Sequence, residues 1–100
     1  MLIVRDIFQV KWGQSNATVA LFKEIRTMAE AKGGKGFATR ILTDASGPFF
    51  TVVIESEVAN LGEWERTLKE RFADPDFAAW FARSAALVET GRREFYNLEG

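Results

Sequence analysis

Alternating hydrophobic and polar residues predict a strand over residues 2–12. A repeat of two is typical of a strand with two different faces, and Gly13 marks its end. One face is apolar except for a single carboxylate, whereas the other mixes apolar and charged groups. The first face carries Leu2, Val4, Asp6, Phe8, Val10 and Trp12, and the second carries Ile3, Arg5, Ile7, Gln9 and Lys11.

A helix is predicted next, because apolar residues then recur at helical spacing. Ser15 or Asn16 can accept a hydrogen bond from a free amide and so begin the helix. Gly33 and Gly34 end it, since glycine tolerates the left-handed cap. The apolar stripe consists of Ala17, Leu21, Ile25, Met28 and Ala29.

Two β-rich segments, 37–43 and 49–56, predict a hairpin joined by the turn-forming segment 44–48. A second helix follows, with Ser56 or Asn60 as its cap; Asn60 and Glu63 have the spacing of a capping box. Its predicted buried stripe is Leu61, Trp64, Leu68 and Phe72, and the charge-rich stretch from Glu63 to Arg71 is interpreted as its solvated face.

Asp74 and Pro75 predict a further short helix, because a capping carboxylate precedes a proline at the first helical position. Phe77, Trp80, Phe81 and Ser84 would line one side of it. A last strand is predicted over residues 91–98. One face of that strand carries Arg92, Glu94, Tyr96 and Leu98.

This order of elements predicts one α+β domain over residues 1–100, a ferredoxin-like β-α-β-β-α-β unit. Its four strands form an antiparallel sheet with the helices on one face. The segment 49–56 is apolar on both faces, with Val53 on one and Ile54 on the other. One layer of helices covers only one face, so we expect a homodimer whose sheets face each other. The alternative is a twisted sheet curled over its own core, with its second face partly exposed.

The composition limits the kinds of partner that we expect the chain to bind. Charged residues make up 27% of the chain and the net charge is −1, so no basic patch for nucleic acid is evident. No apolar run reaches the roughly 18 residues of a membrane-spanning helix. The apolar start Met1–Val4 meets Arg5 and Asp6 at once, so we expect no signal peptide and a cytoplasmic location.

The chain contains no cysteine and no histidine. Disulfides, thiolate nucleophiles, Ser-His-Asp and Cys-His catalysis and histidine-ligated haem are therefore excluded. We expect no cofactor and no metal site.

Three polar side chains are catalytic candidates. Asp6 lies on an apolar face, where burial would raise its pKa and make it a general base. The alternative is that Asp6 forms a salt bridge with Arg40 or Arg92, or that the strand end bends into water. Arg40 would pair with an anionic ligand group in the barrel interior or, alternatively, with a charge across the dimer. Asn16 is the third candidate.

Aromatic residues are candidates for a pocket that binds a flat ligand, although core packing explains most of them equally well. The ligand-binding candidates are Trp12, Phe22, Trp64 and Tyr96. The wider aromatic set adds Phe72, Phe77, Trp80 and Phe81.

Several segments resemble the dimeric α+β barrel superfamily, and within it NIPSNAP-like and antibiotic-biosynthesis-monooxygenase-like domains. They are Lys11-Trp12-Gly13 before the first helix, Ile54-Glu55-Ser56 before the second, Ala73-Asp74-Pro75-Asp76-Phe77, and Ala86-Leu87-Val88-Glu89-Thr90-Gly91 before the closing strand.

The resemblance implies two four-stranded sheets facing each other across a dimer, and it spans nearly the whole chain. Members include cofactor-free oxygenases, which often place Asn, Trp or His in a pocket between sheet and helices; Asn16, Trp12 and Trp64 are the corresponding residue types here. Two hypotheses follow. One is a homodimeric barrel that binds a small hydrophobic or aromatic molecule without a catalytic set. The other is a cofactor-independent monooxygenase acting on a phenolic or quinol-like substrate.

Overall fold

The computed structural model describes all residues from Met1 to Gly100 and confirms the predicted order of elements. A four-stranded sheet and three helices follow one another as β-α-β-β-α-α-β, the ferredoxin-like arrangement with one additional helix. The elements are β1 (Leu2–Val10), α1 (Ser15–Ala31), β2 (Arg40–Thr43), β3 (Thr51–Val58), α2 (Leu61–Ala73), α3 (Pro75–Ala85) and β4 (Val88–Asn97). None of the helices is long and apolar enough to cross a membrane.

The strands pair in the order β2-β3-β1-β4, and every pair is antiparallel. β1 therefore lies inside the sheet, between β3 and β4. Its register places Asp6 opposite Ile54 of β3 and opposite Arg93 of β4. Because side chains alternate between the two faces of a strand, all three residues belong to the face that the helices cover.

The core lies between that inner face of the sheet and the helices α1 and α3. Val4, Val10, Val52 and Ile54 from the strands are almost fully buried. The indole N–H of Trp80 donates to the carbonyl of Leu21 over 2.7 Å and so links α3 to α1. The helical residues of the core are Leu21, Phe22, Ile25, Phe77 and Trp80.

Two of the predicted helix starts are confirmed. Asn60 Oδ1 accepts from the Glu63 amide over 2.9 Å, and Glu63 Oε2 accepts from the Ala59 amide over 2.9 Å, so side chains satisfy two amides at the start of α2. Ser56 is not the cap. Asp74 Oδ1 accepts from the Asp76 amide over 2.9 Å and begins α3, with Pro75 at its first position.

The predicted cap of α1 is wrong. Gln14 occupies the N-cap position, and neither Ser15 nor Asn16 caps the helix with its side chain. The Thr18 hydroxyl instead donates to the Gln14 carbonyl over 2.7 Å, and the Thr18 amide bonds to the same oxygen. A residue inside the first turn thus fixes the start of the helix.

The predicted hairpin is shifted along the chain. β3 begins at Thr51, because Phe50 has a positive φ of 57° that ends the extended backbone before it. β2 begins only at Arg40, because the buried Ala38 also has a positive φ, of 49°. Its amide donates to the side-chain oxygen Ser56 Oγ over 3.0 Å, in place of a backbone hydrogen bond of a regular strand pair. The predicted strands are therefore wrong at 37–39 and 49–50.

The bounds of the first and the last strand also differ from the predicted ones. β1 ends at Val10, before Trp12, and β4 begins at Val88, three residues earlier than predicted. A register irregularity between Gln9 and Val10 accompanies the end of the β1–β4 pairing. The Lys11 amide then bonds to the Leu87 carbonyl over 2.9 Å, which leads the chain out of the sheet toward α1.

The outer face of the sheet carries no helix. Its apolar residues Ile3, Ile7, Leu42 and Val53 are only partly covered. Among them lies an ionic network centred on Glu55, which is only 3% exposed. Its carboxylate accepts hydrogen bonds from both neighbouring strands, at 2.6 Å from Arg5 Nη2 and at 2.8 Å from Arg40 Nε.

Burial acts to raise the pKa of Glu55, but the hydrogen bonds from Arg5 and Arg40 outweigh it, so the pKa lies below its ordinary value. A lowered pKa means that the folded chain favours the carboxylate. The associated stability is present above the unfolded value of about 4.3 and is lost as the pH falls through the folded pKa.

We therefore expect Glu55→Gln to lower the free energy of unfolding at pH 7 by about 1–3 kcal/mol, because Arg5 and Arg40 lose a charged acceptor. The stability of the variant should also fall less steeply than that of the native chain between about pH 5 and pH 3. Urea unfolding followed by circular dichroism measures both effects. Glu65→Gln, an exposed site on α2, is the control. An unchanged acid response in E55Q would contradict the assignment.

Candidate functional site

A cavity of about 450 Å³ lies between the inner face of the sheet and the helices α2 and α3. This volume falls in the range of small-molecule pockets, which extends from roughly 300 to 1,000 Å³. Its wall is largely aromatic. The aromatic rings come from Phe8, Phe22, Phe37, Trp64, Phe72, Phe77, Trp80 and Phe81.

The position of α2 creates the cavity. α1 and α3 each bury several side chains, whereas α2 has no fully buried residue. The side chains that α2 turns toward the sheet, Trp64, Leu68, Arg71 and Phe72, border the open space below the helix. Trp64 meets Phe95 of the edge strand β4 edge-on, with ring centroids 5.2 Å apart.

Asp6 places a carboxylate on the cavity wall. Its Oδ1 accepts from Arg93 Nε over 2.5 Å, across the β1–β4 pair. The Arg93 guanidinium in turn lies over the Trp64 ring, 4.6 Å from its centroid. Asp6 therefore forms a salt bridge, as one sequence interpretation held, but its partner is Arg93. Arg40 and Arg92 project from the opposite face of the sheet.

Arg71 and Lys35 are the two cations of the wall that form no ion pair, and of these only Arg71 is partly buried. Its guanidinium lies 3.9 Å from the centroid of the Phe37 ring and forms no hydrogen bond or ion pair. Burial lowers the pKa of this guanidinium; the negative charge of Asp6 opposes the shift and the positive charge of Arg93 adds to it. The prediction of a solvated face from Glu63 to Arg71 is thus wrong at Arg71, which is only partly exposed and borders the cavity.

Four residues with hydroxyl groups border the cavity, namely Ser56, Thr67, Ser84 and the exposed Thr90. Ser84 Oγ donates to the Phe81 carbonyl over 2.7 Å, and Ser56 Oγ accepts from the Ala38 amide over 3.0 Å. The Thr67 hydroxyl forms no hydrogen bond within the chain. Thr67 lies one helical turn before Arg71 on α2, so a free hydroxyl and a free guanidinium neighbour each other along the helix.

The structure brings three of the candidate site residues together. Asp6, Phe22 and Trp64 all border the cavity. The wider aromatic set lies there as well, namely Phe72, Phe77, Trp80 and Phe81. These rings pack against one another; Phe22 and Trp80, for example, have centroids 5.4 Å apart.

The other four candidates lie elsewhere. Trp12 is 75% exposed and packs on Phe49 and Phe50 outside the cavity. Asn16 is exposed in the first turn of α1. Arg40 and Tyr96 lie on the outer face of the sheet, where Arg40 binds Glu55 of its own chain. The Tyr96 hydroxyl donates to Glu94 Oε1 over 2.7 Å.

That hydrogen bond to Glu94 raises the pKa of Tyr96, and burial adds to the shift. A phenol with a raised pKa keeps its proton, which makes Tyr96 a poor base.

Sequence reasoning missed Arg71, Arg93 and Thr67. Arg71 follows Trp64 by seven residues, which places both on one side of a helix. In β4, Arg93 and Phe95 alternate with the residues that face outward. The repeat of two that assigns those residues to the outer face therefore also assigns Arg93 and Phe95 to the inner face. Both signals were present in the chain, but charge alone favoured an exposed position for each arginine.

The sequence matches no protein-family model, and no curated protein matches it. Solved structures do share its fold. A NIPSNAP domain protein from Burkholderia xenovorans is 15% identical with a TM-score of 0.85, and the match covers 98% of this chain and 94% of that one. A NIPSNAP family protein from Agrobacterium tumefaciens is 18% identical with a TM-score of 0.81, covering 95% and 82% of the two chains.

An antibiotic biosynthesis monooxygenase-like protein from Deinococcus radiodurans is 18% identical with a TM-score of 0.71, and the match covers 100% of this chain and 94% of that one. Similarity at this level of identity establishes the architecture and leaves activity open. The chain therefore has the ferredoxin-like fold that NIPSNAP and antibiotic biosynthesis monooxygenase-like proteins share.

Proposed function

We propose that the chain is a homodimeric α+β barrel protein that binds a small, flat, largely apolar molecule in the cavity between its sheet and α2 and α3. The observation that carries the proposal is the cavity itself, about 450 Å³ in volume and walled by aromatic rings. A few polar groups interrupt this wall, notably Asp6, Thr67 and Arg71. An apolar wall with a few polar groups that fix orientation is the usual design of a ligand site.

Packing energetics support a ligand at this position. Protein interiors are close-packed, and the groups around a void lose contacts that neighbouring atoms would provide. A flat ring system between Trp64 of α2 and Phe8 of β1 would restore such contacts. Gly91 keeps β4 close beside this wall, because a Cβ at that position would lie 2.9 Å from the Phe8 ring.

The outer face of the sheet supports the homodimer. Ile3, Ile7, Leu42 and Val53 form a partly exposed apolar patch there. Three arginines and three glutamates share this face: Arg5 and Arg40 bind Glu55, Arg92 binds Glu94, and Glu57 lies opposite Ile3 in the register. A patch that is both apolar and electrically balanced suits contact with an identical patch related by a two-fold axis.

The second candidate function is a cofactor-independent monooxygenase that oxidises a phenolic substrate. The observation that favours it is Asp6, a carboxylate on the wall of a largely aromatic cavity. Asp6 would accept the phenol proton, and Arg71 would stabilise the phenolate that reacts with oxygen. Conversion of a phenol and O₂ to a quinone and water balances without a further reductant, since the substrate supplies both hydrogens of the water.

Filling the cavity tests the binding function. We expect the native chain to bind 2-naphthol with a dissociation constant on the order of 10–100 µM. Ser84→Leu extends an apolar side chain from the wall of the cavity and should weaken binding at least tenfold while leaving the fold intact. Isothermal titration calorimetry measures the affinity. Ala82→Leu, at an exposed site on α3, is the matched control, and equal binding by both variants would exclude the cavity as the site.

Size-exclusion chromatography with light scattering tests the dimer. The native chain should elute with twice its mass of 11.2 kDa. Val53→Asp introduces a charge into the centre of the outer face and should give a folded monomer, since a buried unpaired carboxylate is costly. Ala20→Asp, on the exposed side of α1, should remain dimeric. A native chain that elutes as a monomer at micromolar concentration contradicts the proposal.

Oxygen uptake tests the monooxygenase. With 1-naphthol, the native chain should consume oxygen faster than buffer does, and Asp6→Asn should lower this rate on the order of a hundredfold, because it removes the base. Glu65→Gln should leave the rate unchanged. If the native chain binds 1-naphthol but adds nothing to the uptake in buffer, it is a binding protein and the oxygenase hypothesis is wrong.

A further inference from the structure

One partly buried cation of the cavity wall has no ion-pair partner. Asp6 and Arg93 neutralise each other through their hydrogen bond of 2.5 Å. Arg71 has no such partner within the chain. Lys35 and Glu89 also border the cavity, but both are exposed, and water screens their charge. The partly buried carboxylate of Glu63 lies about two helical turns away from Arg71, at the start of α2, where it accepts a hydrogen bond from the Ala59 amide.

The orientation of Arg71 suits an incoming anion. Its guanidinium lies over the Phe37 ring, 3.9 Å from the centroid, so an aromatic surface supports one face of the group. The N–H groups of a guanidinium point outward in its plane and can bind both oxygens of a carboxylate. Phe37, Asp6 and Arg93, the three groups that act on Arg71, all belong to the wall of the large cavity. The head of the side chain is therefore on that side, although Arg71 also borders a smaller hollow of about 170 Å³ beside α1.

We infer that the ligand of this cavity carries a carboxylate or a similar anionic oxygen group and that Arg71 binds it, an inference that rests on the proposed binding function. A partly buried guanidinium without a counter-ion is unfavourable in the free chain, and a bound anion relieves this cost. The free hydroxyl of Thr67, one turn away on α2, offers a further hydrogen bond to the same group. The aromatic wall binds the rest of the molecule, and Arg71 sets the preference for its charge.

A matched pair of probes separates charge from shape. 2-Naphthoate and 2-naphthamide share one ring system and nearly one size, but only the first is anionic. We expect the native chain to bind 2-naphthoate at least tenfold more tightly, because a hydrogen bond to a charged group is worth about that factor. Isothermal titration calorimetry at pH 7 measures both affinities.

Variants at position 71 then test whether Arg71 causes the preference for the anionic probe. Arg71→Gln should remove the difference between the two probes and leave the affinity for 2-naphthamide nearly unchanged. Arg71→Lys, which keeps the charge but lacks the planar group, should retain part of the preference. Arg66→Gln, an exposed site on the same helix, is the control and should retain all of it. Far-UV circular dichroism should show that R71Q keeps the native fold, although it loses the contact with Phe37.

The outcomes separate the two proposals. Equal affinity of the native chain for both probes would overturn the role of Arg71 and leave the binding function intact. A preference that persists in R71Q would also overturn it. Failure of the native chain to bind either probe would overturn the binding function, and the inference with it.

Discussion

Contacts of aromatic rings hold α2 beside α3 and above the sheet, and the cavity lies beneath the helix that they position. Phe72 of α2 packs edge-on against Phe77 of α3, with ring centroids 5.2 Å apart. Two further contacts pair an arginine with a ring: near the start of the helix, Trp64 lies against Arg93 of β4, and near its end Arg71 lies against Phe37. Thr67 and Leu68, between these two contacts, border the cavity. Contacts between an arginine and a ring are worth about 0.5–2 kcal/mol each, enough to position a helix whose own side chains are not fully buried.

The two faces of the sheet use arginine differently. On the outer face, Arg5 and Arg40 both bind Glu55, so the network is complete within one chain. On the inner face, Arg93 is paired with Asp6, whereas Arg71 is left without an acceptor. Because each arginine of the outer face has a carboxylate partner within its own chain, that face suits packing against the same face of a second copy. The unpaired Arg71 on the inner face suits a site that binds a ligand from solution.

Much of this architecture could be predicted from periodicity alone. The strands, the helices, their order and six of the eight aromatic candidates follow from repeats of 2 and 3.6 and from the signals at Asn60 and Asp74. The errors have local causes. Left-handed backbone at Ala38 and Phe50 shortens both strands of the hairpin, and nothing in these residue types indicates it. Trp12 lies outside the predicted site for a related reason, because the turn at Phe50 places another aromatic ring beside it.

The absence of fully buried residues in α2 also has a consequence for motion. Local opening is easiest where few apolar contacts are lost, and by this measure α2 separates from the sheet at a lower free energy than α1 or α3 does. Such an opening would uncover the cavity while Trp80 and Leu21 still hold α3 to α1. Helix α2 thus covers the cavity, and its movement away from the sheet would also let a molecule enter. The core between the sheet, α1 and α3 would stay packed during this movement.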